Sequence, residues 1–155
     1  MKITRRKISR RDLMNEIINK QRKIKIKRLI FLEFAENAIS KIEEAENKSV
    51  TIALVSDRKM RQLNKVFRGK NSTTDVLSFP FEPDEFEPEE KSLGDIAISL
   101  EQAQKQSAEN KLDLETEIKQ LILHGILHLC GYDHETDNGE MNARELKLRD
   151  KLQIS

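Results

Sequence analysis

At residues 124–134 the chain reads HGILHLCGYDH, and this run contains all three of its histidines. His124 and His128 are four residues apart, so on a helix their side chains lie on the same face, one turn apart. Gly131 is typical of a residue that ends a helix, and a turn there allows His134 to come back toward the other two. Three convergent imidazoles suit a divalent metal, and three protein ligands with a fourth position open to water are typical of a catalytic zinc site. The run therefore predicts a zincin-like metal helix that binds one zinc ion.

The residue after the first histidine distinguishes this run from those of zinc peptidases. The spacing His-x-x-x-His-x-x-Gly-x-x-His is shared with the metzincins, which place a glutamate directly after the first histidine as general base. Here that position is Gly125, which cannot transfer a proton. Glycine also destabilises a helix by about 1 kcal/mol relative to alanine, so we expect something to pass close to its backbone. The sequence therefore predicts the three metal ligands but lacks the general base of a zinc peptidase.

The single cysteine, Cys130, is predicted to be a buried, inert thiol and not a ligand. It follows His128 by two residues and therefore points about 200° away from it on an ideal helix. One cysteine excludes a disulfide within the chain, which favours a reducing compartment, and we expect a cytoplasmic protein. No apolar run reaches the length of a membrane span. The basic N-terminus is not followed by the apolar stretch that a secretory signal requires. In composition, the Arg-rich start resembles an organelle transit peptide.

Periodicity predicts strands and helices on both sides of this run. Helices are expected where apolar residues recur at spacings of three and four, and strands where short runs are apolar or alternating. The order favours an α+β domain in which helices cover a small sheet. Two helices have predicted buried faces, formed by Leu29, Leu32, Ala35, Ile39 and Ile42 in one and by Met60, Leu63 and Val66 in the other. The predicted elements are an edge strand within 16–27, helix 28–46, strand 50–55, a helix capped by Ser56, strand 74–79, strand 93–98, helix 99–110, the metal helix 114–130 capped by Asp113, and helix 139–152.

Charge is distributed very unevenly along the chain. Residues 1–30 contain twelve Lys or Arg and two acids, a balance of +10, although the whole chain of 155 residues has a net charge of only +1. We therefore predict a basic N-terminal extension at 1–15 and a single metal-dependent hydrolase domain at 16–155. The extension either binds a polyanion or is a solvated leader. The acidic stretch 82–90 is predicted to be a solvated loop.

The histidine run, read as His-Gly-x-Leu-His-Leu-x-Gly-Tyr-Asp-His, resembles the signature of the YbeY family of bacterial single-strand endoribonucleases and rRNA maturation factors. The similarity extends from about Glu16 to the C-terminus and leaves the basic extension outside it. Further matching segments are Leu63-Asn64, Phe67-Arg68-Gly69-Lys70, Thr74-Asp75-Val76-Leu77-Ser78-Phe79-Pro80 and Leu93-Gly94-Asp95-Ile96.

The resemblance implies zinc on His124, His128 and His134, and a small mixed four-stranded sheet surrounded by helices. Arg68 matches an arginine that the family keeps in its cleft, and a guanidinium there could hold a phosphodiester bidentately and neutralise developing charge. Arg68 and the three histidines are therefore the predicted catalytic residues. Weaker candidates are Lys70 as a solvated side chain or a distant phosphate contact, Asp133 as a histidine-orienting acceptor or a turn cap, and Ser78 and Asp95 as cleft or strand-end residues.

The predicted function is zinc-dependent hydrolysis of phosphodiester bonds in single-stranded RNA, acting in rRNA maturation and ribosome quality control. The expected partners are single-stranded RNA, rRNA, and the ribosome or ribosomal proteins, with no membrane. The nucleophile is either a water that the metal activates or the RNA 2′-hydroxyl. Because the chain has one tyrosine and six phenylalanines, base stacking is expected to be sparse and backbone charge to dominate binding. Two alternatives remain, a metallopeptidase-like hydrolase with the same ligands and a non-catalytic ribosome-associated RNA-binding factor with structural zinc.

Overall fold

The computed structural model describes residues 14–86 and 91–155. Most of the predicted basic extension and the end of the predicted acidic loop lie outside this part of the chain. The described elements are β1 (Glu16–Asn19), α1 (Arg28–Ser40), a short 3-10 helix (Glu43–Ala45), β2 (Ser49–Val55), α2 (Asp57–Arg68), β3 (Val76–Pro80), β4 (Ser92–Ser99), α3 (Leu100–Glu109), α4 (Leu114–Leu129) and α5 (Glu140–Lys151).

The four strands form one mixed sheet in the order β1-β2-β4-β3. β1 pairs with β2 and β2 with β4 in parallel, whereas β3 runs antiparallel to β4. β3 is therefore an edge strand, which suits Pro80 at its end, because proline has no N–H to donate to a neighbouring strand. The α+β class and the small mixed four-stranded sheet are confirmed.

The central strands β2 and β4 are buried on both faces of the sheet. Successive strand residues point to opposite faces, so Ile52 and Ile96 lie in the main core with α1 and α4. Their neighbours Ala53 and Ala97 lie in a smaller core with α2. The near-continuous apolar sequence of these two strands follows from this double burial.

β1 covers Glu16–Asn19 and not the predicted 16–27, so the edge strand is confirmed only in part. Ile24 and Ile26, which alternate with lysines, are partly buried in a loop against the main core. The side chain of Gln21 closes this loop, because it accepts from the backbone N–H of Ile24 at 2.8 Å and donates to the carbonyl of the same residue at 2.7 Å. These bonds take the place of strand pairing, and the prediction from alternation was wrong here.

α1 ends at Ser40 and not at residue 46, and its buried face differs from the predicted one. Ile42 is extended, although its side chain stays buried. Leu29 is 60% exposed. Aromatic side chains offer the largest apolar area, and they set the rotation of the helix. The buried residues are Phe31, Phe34, Ala35, Ala38 and Ile39.

The buried face of α2 contains Met60 and Leu63, as predicted, but not Val66, which is 71% exposed. At about 100° per residue, the second step of three residues carries Val66 about 120° away from Met60, whereas Phe67 returns to within about 20° of it. The prediction for Val66 was therefore wrong, and Phe67 is the residue that continues the stripe.

The remaining helices lie close to their predicted bounds. Asp113 caps α4 by accepting from the backbone N–H of Thr116 at 2.7 Å, and Ser99 caps α3 by accepting from that of Gln102 at 3.2 Å. Among the described helices, none combines the length and the apolar character needed to cross a membrane.

Candidate metal centre and cleft

The predicted metal helix is α4, and it places two histidines beside the main core. His124 and His128 are half-buried, while another face of the helix is fully buried. After the helix, Gly131 has φ +98°, a left-handed conformation that favours glycine. The turn there brings His134 against the other two rings, with centroids 5.6 and 5.5 Å away. The three histidines predicted to converge do so.

The spacing of the imidazoles fits one divalent metal ion. One nitrogen from each of the three rings lies within 4.8 Å of the other two. The Nε2 atoms of His124 and His128 are 3.1 Å apart. Two nitrogens bound to one zinc at about 2.0–2.1 Å in tetrahedral geometry lie about 3.3 Å from each other. The donor type and the separations therefore suit zinc or a similar ion.

The carboxylate of Glu145, on α5, extends this cluster on its buried side. Its Oε1 lies 2.6 Å from Nδ1 of His124, and its Oε2 accepts from Arg149 at 2.8 Å. Burial raises the pKa of Glu145, but His124 and Arg149 outweigh burial and hold the pKa below its usual value. An ionised acceptor at Nδ1 orients the ring so that Nε2 faces the other histidines, as is common for metal-binding imidazoles.

Glu145 was not predicted from the sequence, although a signal was present. It lies four residues after Met141 and three before Leu148, and all three are buried on one face of α5. A charged residue on an apolar helical stripe needs a partner when it is buried. That requirement identifies Glu145 as a candidate, but only the packing of α5 against α4 identifies its partner.

His128 is biased toward the neutral form. Burial lowers the pKa of His128, and the imidazoles of His124 and His134 lower it further, while the Asp133 carboxylate raises it. A metal binds the neutral ring through its lone pair. The environment of His128 therefore favours the form that a ligand requires.

Gly125 is explained by the close packing of α4 on β4. A Cβ atom at this position would lie 2.9 Å from Cδ1 and 3.0 Å from Cγ2 of Ile96. The expected close approach to this backbone is therefore made by Ile96. A glutamate here would point into the sheet, so the position does not accept the peptidase base.

A cleft of about 710 Å³ opens beside the histidine cluster. Arg68, the last residue of α2, lines it together with the three histidines, and Ser78 and Asp133 line it as well. Ser78 donates to the carbonyl of Gly125 at 3.4 Å. Lys70 is exposed outside the lining, and Asp95 is buried in β4. The fold thus brings Arg68, Ser78 and Asp133 to the histidines but does not bring Lys70 or Asp95 there.

Asp133 stabilises the turn that follows α4. Its Oδ1 accepts from the backbone N–H of Glu135 at 3.0 Å. Asp133 therefore caps this turn, one of its two expected roles, while Glu145 is the acceptor on His124.

The charge of the cleft is mostly negative in the absence of a metal. Asp75, Glu82, Asp133 and Glu135 contribute carboxylates to the lining, and Glu82 brings the start of the acidic loop to this site. Among the described residues that line the cleft, Arg68 is the one lysine or arginine. Binding of an anion would therefore depend on Arg68 and on a bound cation.

Aromatic side chains also line the cleft, which the sequence did not predict. They are Phe67, Phe79 and Tyr132. The signal that was missed is the helical position of Phe67, directly before Arg68 and on the same side of α2 as the buried Met60 and Leu63.

Cys130 lies outside the histidine cluster. Burial and, to a smaller extent, the nearby Glu44 carboxylate together raise the pKa of the Cys130 thiol to about 11. The thiol therefore stays protonated at neutral pH, as expected for an inert cysteine.

Known proteins share both the sequence and the fold. The family model described as Endoribonuclease YbeY matches residues 16–153. An "Endoribonuclease YbeY" of Nautilia profundicola is 43% identical over 120 residues, which cover 75% of this chain and 84% of that protein. One of Clostridioides difficile is 40% identical over 140 residues, covering 80% and 92%. The solution structure of TM1509 from Thermotoga maritima superposes with a TM-score of 0.59 at 28% identity, over 90% of this chain and 88% of that one. The family match spans both the histidine cluster and the cleft, and the chain therefore belongs to the YbeY family of endoribonucleases.

Proposed function

We propose that the protein is a zinc-dependent endoribonuclease that hydrolyses phosphodiester bonds in single-stranded RNA, acting in rRNA maturation and ribosome quality control. The observation that carries this proposal is that Arg68 and the three histidines line one cleft. The family supports RNA as the substrate. Membership of the family also supports a preference for single strands. It supports rRNA, the ribosome or ribosomal proteins as partners in the same way.

The proposed ligands of the zinc ion are His124, His128 and His134, with Glu145 holding the ring of His124 in place. When bound, the ion would supply Lewis acidity toward a phosphoryl oxygen and lower the pKa of a water molecule to about 7. The buried carboxylate would also hold the ring of His124 so that its Nε2 lone pair stays available to the ion on the side of His128.

Arg68 is proposed to hold the scissile phosphate. Its guanidinium can donate two parallel hydrogen bonds to phosphate oxygens, and its charge opposes the negative charge that grows in the transition state. The four carboxylates in the lining repel a phosphate, so loss of Arg68 has a larger effect here than it would in a basic cleft.

Gly125 leaves the reaction without a general base at that position, so attack is by water or by the RNA 2′-hydroxyl. Cleavage of an RNA that carries one 2′-deoxy residue at the scissile linkage would assign the attack to water. Loss of cleavage at that linkage alone would assign it to the 2′-hydroxyl.

The function is tested by metal analysis of the purified protein, together with cleavage of single-stranded and duplex RNA of the same sequence. We expect about one zinc per chain, cleavage of the single strand, and loss of cleavage with a chelator that is restored by zinc. Arg68→Ala should lower the rate about 10²- to 10³-fold, as for removal of one donor to a developing oxyanion. Lys70→Ala is the matched control and should cleave normally, because Lys70 lies outside the cleft.

The two alternatives give different results in the same experiment. A peptidase would digest casein in a chelator-sensitive way. A non-catalytic RNA-binding factor would bind the single strand without cutting it, and chelation would unfold the protein.

A further inference from the structure

We infer that Phe67 is a stacking platform for a nucleobase, next to the phosphate held at Arg68. The inference rests on the proposed function and adds a subsite to it. It assigns to the cleft an apolar contact with the base, in addition to charge contacts with the RNA backbone.

The position of Phe67 on α2 explains why an aromatic side chain is only partly covered. It continues the stripe of Met60 and Leu63, which are buried under the sheet, but it is in the last turn of the helix and is 39% exposed. Phe79 of β3 contacts it edge to face, with centroids 5.3 Å apart and an interplanar angle of 80°. In an edge-to-face pair, Phe79 can cover at most one face of the Phe67 ring. Phe79 therefore holds the Phe67 ring in position but leaves at least one face of that ring uncovered by Phe79.

The exposed part of Phe67 belongs to the cleft. Phe67, Phe79 and Arg68 all line it, together with the three histidines. Each base of a single strand is linked through its sugar to the neighbouring phosphate, so a phosphate at Arg68 brings a base close to the adjacent side chain. Bases of single-stranded nucleic acids commonly stack on such aromatic rings.

Stacking also supplies binding free energy that charge cannot provide in this cleft. Among the described residues that line the cleft, four carry carboxylates and one is an arginine. Contact between a base and an aromatic ring does not depend on the sign of the surrounding charge. Binding should therefore retain a component that is insensitive to salt, in contrast to the expectation that base stacking is sparse and backbone charge dominates.

Exposure alone does not select Phe67. Val66 is 71% exposed and Phe86 is 84% exposed, but neither lines the cleft. Val66 precedes Phe67 directly and therefore provides a matched control on the same helical turn.

The test uses the absence of tryptophan from the chain. Phe67→Trp introduces a single indole, and the zinc-loaded protein is titrated with a 2′-O-methyl phosphorothioate oligo(A) and with an oligomer of the same length that has no bases. We expect the oligo(A) to quench the indole fluorescence, the abasic oligomer to leave it unchanged, and Val66→Trp to respond to neither. Binding of both oligomers is followed separately by fluorescence anisotropy.

Affinity gives a second readout. Phe67→Leu, which keeps an apolar contact with Phe79, should bind the oligo(A) about 5- to 150-fold more weakly, and Phe67→Tyr should bind it as the unchanged protein does. The slope of affinity against salt should stay the same in both variants, because no phosphate contact is lost. Thermal melting checks that each variant is folded.

Four outcomes would overturn the inference. Unchanged affinity of Phe67→Leu, or no quenching by the oligo(A) while RNA is still bound and cleaved, removes the stacking role and leaves the proposed function intact. If Phe67→Leu and Val66→Ala both weaken binding to ribosomes without affecting the oligomer, the two residues form a protein-docking surface instead. If the protein neither binds nor cleaves RNA in its zinc-loaded form, the proposed function fails and the stacking role fails with it.

Discussion

Oε1 of Glu145 lies 2.6 Å from Nδ1 of His124, across the interface between α5 and α4. The two residues are 21 positions apart in sequence. Because Arg149 holds the other carboxylate oxygen at 2.8 Å, the carboxylate has little freedom to turn away. When Nδ1 donates to it, the lone pair of His124 is on Nε2, the atom that faces His128. The final helix therefore contributes directly to the proposed metal site.

Glu145→Gln should weaken zinc binding about 10- to 100-fold, as is typical for loss of a carboxylate that orients a histidine ligand. The amide can still contact Nδ1 but carries no charge to hold the ring. Competition with a chromophoric zinc chelator measures the change. Asp150→Asn, an exposed acid on the same helix, is the control and should bind zinc normally. An equal loss of affinity in both variants would indicate a nonspecific charge effect.

His128→Ala should abolish RNA cleavage while changing the free energy of unfolding by no more than about 1 kcal/mol, since its side chain is only half-buried and lies outside the apolar core. Denaturant titrations of the variant and of the unchanged protein, each with and without chelator, measure this. Unfolding of the unchanged protein by the chelator in the absence of denaturant would show that the metal is structural.

Gly125→Ala should destabilise the protein by about 1–2 kcal/mol, because overpacking against the buried Ile96 exceeds the gain in helix propensity of about 1 kcal/mol. Ile96→Val removes Cδ1, the atom nearest to the new methyl group. The double variant Gly125→Ala/Ile96→Val should therefore be more stable than the sum of the two single changes predicts. Additive effects in this double-mutant cycle, measured by urea unfolding, would contradict the proposed contact.

Asp57 should stabilise the fold in a pH-dependent way. Its carboxylate accepts from Thr73, from Ser99 at 2.9 Å and from Gln102 at 3.1 Å. Burial raises the pKa of Asp57, but these hydrogen bonds outweigh it and hold the pKa below its usual value. The contribution to stability is then fully present above the unfolded pKa of about 3.9 and is lost as pH falls through the lower folded value.

Asp57→Asn should therefore cost about 1–3 kcal/mol at pH 7, with the difference from the unchanged protein shrinking below about pH 4. Urea unfolding at pH 7, 5 and 3.5 measures it. The exposed Asp150→Asn serves again as the control and should show little difference at any of these pH values. If Asp57→Asn lowered the free energy of unfolding by the same amount at all three pH values, the loss would come from changed hydrogen-bond geometry and not from ionisation.

Local sequence was sufficient for the features that depend on neighbours in the chain. The caps at Asp113 and Ser99, the turn at Gly131 and the metal helix are short-range patterns, and the structure contains all of them. Predictions failed where tertiary packing decided the outcome. Ile24 and Ile26 alternate like a strand but lie in a loop closed by Gln21.

The choice of buried helical face failed for the same reason. Leu29 and Val66 have the right residue type but the wrong angular position. The buried face is set by Phe31 and Phe34 in α1, and by Met60 and Leu63 in α2. Phe67 instead continues the stripe of α2 and reaches the cleft. Spacings of three and four residues are compatible with two adjacent faces of a helix being buried. Only the contact with the sheet decides which of the two faces is buried.

The sequence by itself determined the proposed ligands of the metal site, since His124, His128 and His134 lie within one helix and the turn that follows it. It also determined the absence of the peptidase base at Gly125. Only the tertiary structure decided what surrounds these residues: Ile96 against Gly125, Glu145 behind His124, and Arg68 and Phe67 in the lining of the same cleft. The physical reason is range, because a helix fixes neighbours three and four residues apart, whereas contacts between distant elements are set by how their apolar faces pack together.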